Sequence, residues 1–217
     1  EAQNAIRAHM KLASKLVRQS DELKQLLRRM RVEPKAYLNS HSSTLAFFAG
    51  ALLAMMPWRS ETGYFKLALA GIIHDITLEN HELAALDSMA ELAKKASHFT
   101  AKEIDSFRHH PQDAAELVRK MDSVPPDVDA IVLQHHEKPD GNGFPNKINS
   151  LRISPLSAVF ILAHDIVRKI HLDETFDIKS FLLADRPEYN FGPFKRILRD
   201  ARAHLTNPED KAGSNLP

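Results

Sequence analysis

The chain has 217 residues, 43% of them hydrophobic and 26% charged, with a formal net charge of +1. That is ordinary globular composition for one domain, or a domain with an appendage, and it argues against disorder and against a broad basic surface for a nucleic-acid polymer. With 0 cysteines, disulfides, zinc–thiolate sites, iron–sulfur clusters and a cysteine nucleophile are all excluded. No charged-then-apolar leader pattern is present. The longest apolar stretch, Leu45 to Met56, is too short to span a bilayer, so a cytoplasmic protein without membrane insertion is expected. Because the chain starts at Glu1 rather than Met, it reads as a fragment whose upstream part is missing.

Nearly every segment carries helical periodicity. Residues 1–31 place Ile6, Met10, Leu16, Val17, Leu23, Leu27 and Met30 among Lys, Arg, Gln and Glu, the spacing of a long amphipathic helix. The organisation expected is a segment over 1–32 that links to an upstream regulatory domain or forms a homodimer, a domain over 33–205, and a flexible tail over 206–217. Residues 41–56 are apolar with small residues, as in a helix buried on most sides. Residues 64–76 repeat that theme and finish at His74-Asp75. A helix is expected over 80–96. Thr100 followed by Glu103 is a capping-box pattern that starts another. Pro111 is expected to open a new helix over 112–121. Pro125-Pro126 starts one that ends in His135-His136. Ser154-Pro155 supplies an N-cap and a proline at the first helical position, so a helix from there to about Ile170 carries His164 and Asp165. Residues 193–205 form a last helix. With no run of strands, the fold class is all-α, helices packed on helices.

Histidine is the compositional signal: 12 residues, against 3 tyrosines and 1 tryptophan. His41, His74, Asp75, His110, His135, His136 and Asp165 sit on predicted helices or at their ends. Side chains converging from several helices are how a metal site is built in a bundle core. Imidazole with carboxylate suits Fe, Mn or Zn more than the oxygen-preferring Mg or Ca. Seven candidates exceed the needs of one tetrahedral ion, so two divalent ions sharing a carboxylate are expected. Asp75 is the bridging candidate, holding a nucleophilic hydroxide against a phosphate ester. After His135-His136 comes Glu137-Lys138-Pro139-Asp140-Gly141-Asn142-Gly143-Phe144-Pro145, a turn that lets backbone approach a ligand closely. Glu137 is expected to orient a histidine or fix the loop, and Asp140 to form the turn. His109 is expected to be exposed or to support its neighbour. His9, His81, His98, His171 and His204 are expected at the surface or in structural roles.

These residues resemble the HD-GYP phosphodiesterases of the HD hydrolase superfamily, over roughly residues 37–190. The resemblance is carried by Ile73-His74-Asp75-Ile76, His110-Pro111, His135-His136-Glu137, Asp140 to Pro145, Ile153-Ser154-Pro155-Leu156-Ser157-Ala158 and Asp165. It implies an all-helical bundle with the metal site in its core, iron being frequent, and hydrolysis of cyclic di-GMP to linear pGpG or GMP. It puts the seven residues named above on ligand positions and selects Asp165 over His164. It further implies substrate contacts from Gly141, Gly143, Phe144 and Pro145, and from Arg186 through the run Asp185-Arg186-Pro187.

The pattern departs from the family at four points. Leu78 stands where the family has lysine, Thr77 where it has glycine, Phe144 where it has tyrosine, and Tyr37 where three-metal members have glutamate. Tyr37 favours two metals over three. Leu78 and Phe144 keep two alternatives open beside the enzyme reading: a module that binds cyclic di-GMP or a protein partner without turnover, and a phosphohydrolase of another nucleotide.

Overall fold

A computed structural model describes residues 37–122, 124–173 and 175–206. The expected helix over 1–31, with its linking or dimerising role, lies outside the described residues, as do residues 207–217 of the expected tail. The helices are α1 (Tyr37–Ala54), α2 (Glu61–Ile73), α3 (His81–Ala84), α4 (Met89–Lys95), α5 (Ala101–Arg119), α6 (Val128–Gln134), α7 (Pro155–Leu172), α8 (Ile178–Leu183) and α9 (Gly192–Thr206). Short 3-10 turns cover Ala96–His98 and Pro187–Tyr189. Among the described residues no strand forms, and the single isolated bridge joins Asp140 to Asn149. The architecture is all-α, with a buried cluster of histidine and aspartate in its core.

α7 is the spine. Its buried face runs almost unbroken from Ser157 to His164 and on to Ile170, more than a single stripe, because α1, α6 and α9 all pack against it. α1 also lies along α2, and α5 along α6. The start signals read from the sequence operate as expected. Thr100 Oγ1 accepts from Glu103 N at 3.3 Å while Glu103 Oε2 accepts from Thr100 N at 2.8 Å. Ser154 Oγ accepts from Ser157 N at 3.1 Å, with Pro155 at the first turn. Each such cap contributes about 1 kcal/mol.

Two expectations are corrected, and one helix was not expected. Pro111 does not open a helix; it lies inside α5, which runs unbroken from Ala101 to Arg119. A proline there removes the N–H that would bond to the carbonyl four residues back, which is Phe107 O. The ring of His110 takes up that acceptor, with Nδ1 2.7 Å from it, and this compensates part of the loss. The expected helix over 80–96 is two helices. Ser88 Oγ caps α4 by accepting from Glu91 N at 3.2 Å, and Glu91 Oε2 accepts from Asp87 N at 2.9 Å, so the chain turns at Asp87 before restarting. α8, with its cap at Asp177, has no counterpart in the sequence reading.

Phe160 on α7 is fully buried and meets the His74 ring edge-on, centroids 5.7 Å apart. Phe160→Ala is expected to destabilise the protein by about 3–5 kcal/mol, read as a lower urea midpoint. A change under about 1 kcal/mol would show that α7 is not the structural spine.

Candidate metal centre

Six histidines are buried together: His41, His74, His110, His135, His136 and His164. They come from α1, the end of α2, α5, the end of α6 and α7. Neighbouring rings touch throughout, with centroid separations of 5.3 Å for His41–His74, 5.1 Å for His74–His135, 5.0 Å for His110–His135, 4.2 Å for His135–His136 and 5.4 Å for His136–His164. Two carboxylates enter the cluster, Asp75 after α2 and Asp87 between α3 and α4.

The hydrogen bonds fix the tautomers of three rings. His74 Nδ1 lies 3.0 Å from Gly71 O, His110 Nδ1 2.7 Å from Phe107 O, and His135 Nδ1 2.6 Å from Val132 O. A carbonyl only accepts, so each Nδ1 carries the proton and each Nε2 presents a lone pair. The three Nε2 atoms converge on Asp75. His74 Nε2 is 3.1 Å from Oδ2, and His110 and His135 Nε2 are 3.3 and 3.6 Å from Oδ1. His110 Nε2 and His135 Nε2 are themselves 3.1 Å apart. Two lone pairs facing each other at that distance, beside a carboxylate, repel unless a cation lies among them.

The electrostatics agree. His41 and His135 are held well below the ordinary imidazole value, by burial first and by neighbouring histidines second. His136 is lowered to about 3 by burial, against the opposing pull of the Asp87 carboxylate. Burial pushes Asp75 up, but the surrounding imidazoles of His74, His110 and His135 outweigh it and leave it well below the usual carboxylate range. Asp87 behaves alike, burial being outweighed by His136 and His164. Neutral imidazole and ionised carboxylate are the ligating forms of these groups.

The donors fall into three groups. Asp75, His110, His135 and His136 form one, His41, His74 and His164 a second, and Asp87, His136 and His164 a third. Within each group the ligand atoms lie within 4.8 Å of one another. Ligands of a tetrahedral ion at about 2.1 Å sit about 3.4 Å apart, close to the separations around Asp75. His74 Nε2, Asp75 Oδ1 and His136 Nδ1 are buried without a hydrogen bond of acceptable geometry, a state that native interiors otherwise avoid. Orphaned lone pairs, neutral imidazoles and anionic carboxylates together fit divalent ions.

Of the seven expected ligands, the structure brings six into these groups. Asp165 stays outside them. Its Oδ2 accepts from Tyr189 OH at 2.7 Å and its Oδ1 pairs with Lys169 Nζ at 2.9 Å, whereas its neighbour His164 faces the cluster. Asp87 was not singled out in the sequence; it lies in a Leu86-Asp87-Ser88 turn with no histidine beside it to mark it. His109 is exposed, with Nδ1 3.0 Å from Asp105 O.

The glycine turn folds back on the site. Phe144 stacks on His136, rings 4.5 Å apart and inclined by 14°, and Phe144 N donates to His136 O at 3.1 Å. Glu137 holds the turn from below, Oε1 accepting from Asn146 N at 2.7 Å and Oε2 from Ile148 N at 3.0 Å; burial raises its pKa. Asp140 closes the turn by accepting from Asn142 N at 2.9 Å. A cavity of about 270 Å³ opens beside the cluster, and Asp87, His136, Lys138, Asp140, His164 and Lys169 are among its lining residues. Gly141, Gly143, Phe144 and Pro145 are not on that wall; Phe144 is buried against His136 and Phe107. Arg186 lies apart as well, stacked 4.1 Å from the Phe181 ring centroid and paired with Glu188. Leu78 is buried in the hydrophobic core.

A family model for the HD domain matches residues 5–169. The chain belongs to the HD domain family, whose members suggest metal-dependent phosphohydrolase chemistry. No match was found among curated proteins or among solved structures. Among the described residues no helix is long and apolar enough to cross a membrane.

A Cβ on Gly143 would lie 2.5 Å from Glu137 Cα, His136 O and Lys138 N. Gly143→Ala is therefore expected to lower stability by about 1–3 kcal/mol and to lift Phe144 off His136, seen as a shifted His136 resonance; an unchanged melt and spectrum would contradict this packing. Acid should also weaken the metal-free protein. Histidines with depressed folded values leave the unfolded chain binding more protons once pH falls below about 6.5, so stability present above that pH is lost as it falls, by up to roughly 1.4 kcal/mol per pH unit per histidine. A urea midpoint equal at pH 7.5 and pH 5 would refute the neutral cluster.

Proposed function

We propose that this chain is a phosphodiesterase that hydrolyses cyclic di-GMP with two divalent ions, iron being favoured and manganese or zinc compatible with the same donors. The observation that carries the reading is the two-sided use of Asp75, with Oδ2 beside His74 and Oδ1 beside His110 and His135. One ion would be held by Asp75, His110 and His135, the other by His41 and His74, with Asp75 between them, while His136 and His164 turn their Nδ1 atoms toward Asp87. Divalent ions there supply Lewis-acid polarisation of a phosphate and a water acidified from about 15.7 toward about 7. The chain supplies the rest. The i−3 carbonyls hold three imidazoles with their lone pairs inward, and Phe144, on the turn that Glu137 holds, stacks on His136. Lys138 and Lys169 add positive charge to the cavity wall where a phosphate would enter. Cyclic di-GMP as substrate rests on the resemblance of the His-Asp, His-Pro, His-His and Gly-x-Gly-Phe-Pro runs to the HD-GYP family.

A second reading is favoured by one observation. Leu78 faces the core, so no polar group from that position reaches a substrate, and Phe144 offers no hydroxyl. A module that binds cyclic di-GMP without turnover fits those two residues.

Anaerobic metal analysis and a cyclic di-GMP hydrolysis assay on the same sample test both readings. The enzyme reading expects at least two ions per chain, formation of pGpG, and a loss of more than about 100-fold in rate for Asp75→Asn. Protein that carries no stoichiometric metal sinks the proposal. Metal-loaded protein that binds cyclic di-GMP yet forms no product with Fe(II) or Mn(II) replaces the first reading by the second, and hydrolysis of a different nucleotide replaces the substrate.

A further inference from the structure

We infer that Asp87 is a metal ligand, and that with His136 and His164 it forms a further cation position at the mouth of the cluster, open to the cavity. This inference rests on the metal-centre reading above but adds a residue and a position to it.

The geometry is specific. Asp87 Oδ1 lies 3.6 Å from His136 Nδ1 and 3.6 Å from His164 Nδ1. These are ligand-to-ligand separations for a shared ion, about 3.4 Å in the tetrahedral case, and too long for the direct hydrogen bonds of an Asp–His pair. His136 Nδ1 is buried and makes no hydrogen bond, on a side chain only 2% exposed, so a lone pair or an N–H points at Asp87 without being satisfied by it. The other oxygen of Asp87 is otherwise engaged, with Oδ2 3.4 Å from Lys138 Nζ. That contact orients the carboxylate and leaves Oδ1 for the imidazoles.

One of the three donors, Asp87, also differs in exposure from the rest. Asp75 and the ligands around it are almost wholly buried, whereas Asp87 keeps 19% of its side chain exposed and lines the cavity with His136 and His164. Three protein ligands with a free side toward a cavity is the pattern of a catalytic rather than a structural ion. The turn that carries Asp87 is the break between α3 and α4, so this backbone irregularity serves to bring a carboxylate to the site.

The test uses the full chain. Metal is counted by elemental analysis after equilibrium dialysis against Mn(II), for wild type, Asp87→Asn and Lys138→Met. The expected result is one ion fewer per chain in Asp87→Asn, with the remaining ions retained, and an unchanged count in Lys138→Met, which removes the pairing partner but no donor. Equal counts in wild type and Asp87→Asn overturn the inference while leaving the deeper centre standing. Equal losses in Asp87→Asn and Lys138→Met also overturn it, because they assign Asp87 a structural ion-pair role. Wild type without any bound ion defeats the metal-centre reading itself, and this one with it. If Asp87→Asn does not fold, Asp87→Glu is read instead. It keeps a carboxylate one methylene further out, so a weakened affinity for the last Mn(II) supports the inference and an unchanged one overturns it.

Discussion

Burying six imidazoles and an ionised aspartate in one core is the constraint on which this fold turns. Taking such groups out of water is expensive unless each is satisfied. The protein meets the demand from behind. Each of three rings gives its Nδ1 proton to a carbonyl three residues earlier in its own helix, and so turns a lone pair toward Asp75. The backbone hydrogen bonds decide the tautomer, the tautomer decides which nitrogen faces inward, and the inward nitrogens define a place for cations. The aromatic and aliphatic packing of α7 exists around that arrangement. Phe160 is pressed on one histidine and Phe107 on two others.

Helix ends explain why ligands occur where they do. The last carbonyls of a helix have no intrahelical partner. His74 and His135 cap α2 and α6 and bond carbonyls of the last turn with their rings, so one side chain engages the helix terminus and supplies a donor to the site. Asp75 and His136 then follow as the first residues beyond the helices, where the backbone turns freely enough to aim adjacent side chains inward together. That is why His74-Asp75 and His135-His136 can both contribute as pairs, which two neighbours inside a helix cannot do.

The same rule shows what a sequence reading can and cannot see. The His-Asp and His-His pairs were legible because adjacency at a helix end is itself the signal, and the helix starts at Thr100 and Ser154 were legible because capping is local chemistry. The choice between His164 and Asp165 was not. Successive helical residues point about 100° apart, and only the packing of α7 against α1, α6 and α9 decides which of them faces the cluster. Asp87 was invisible for a different reason: it reaches the histidines across the fold from a turn whose local pattern, Ser88 with Glu91, announces a helix start and nothing more. α8, only six residues long, is too short for a 3.6-residue period to declare itself. Pro111 misled because the default for an internal proline is a break, whereas in α5 the His110 side chain takes up the carbonyl that the proline leaves without its donor.

That side chain has a consequence for how this region can vary. His110 and Pro111 are bound to one another through Phe107 O, the acceptor that the proline vacates and the histidine occupies. A change at His110 removes a donor from the cluster and at the same time strands a carbonyl in the middle of a helix. A change at Pro111 restores a competing N–H for the oxygen that holds the imidazole in place. Neither position drifts alone without loss, so the dipeptide behaves as one heritable unit in which the continuity of a helix and the orientation of a ligand share a single hydrogen bond.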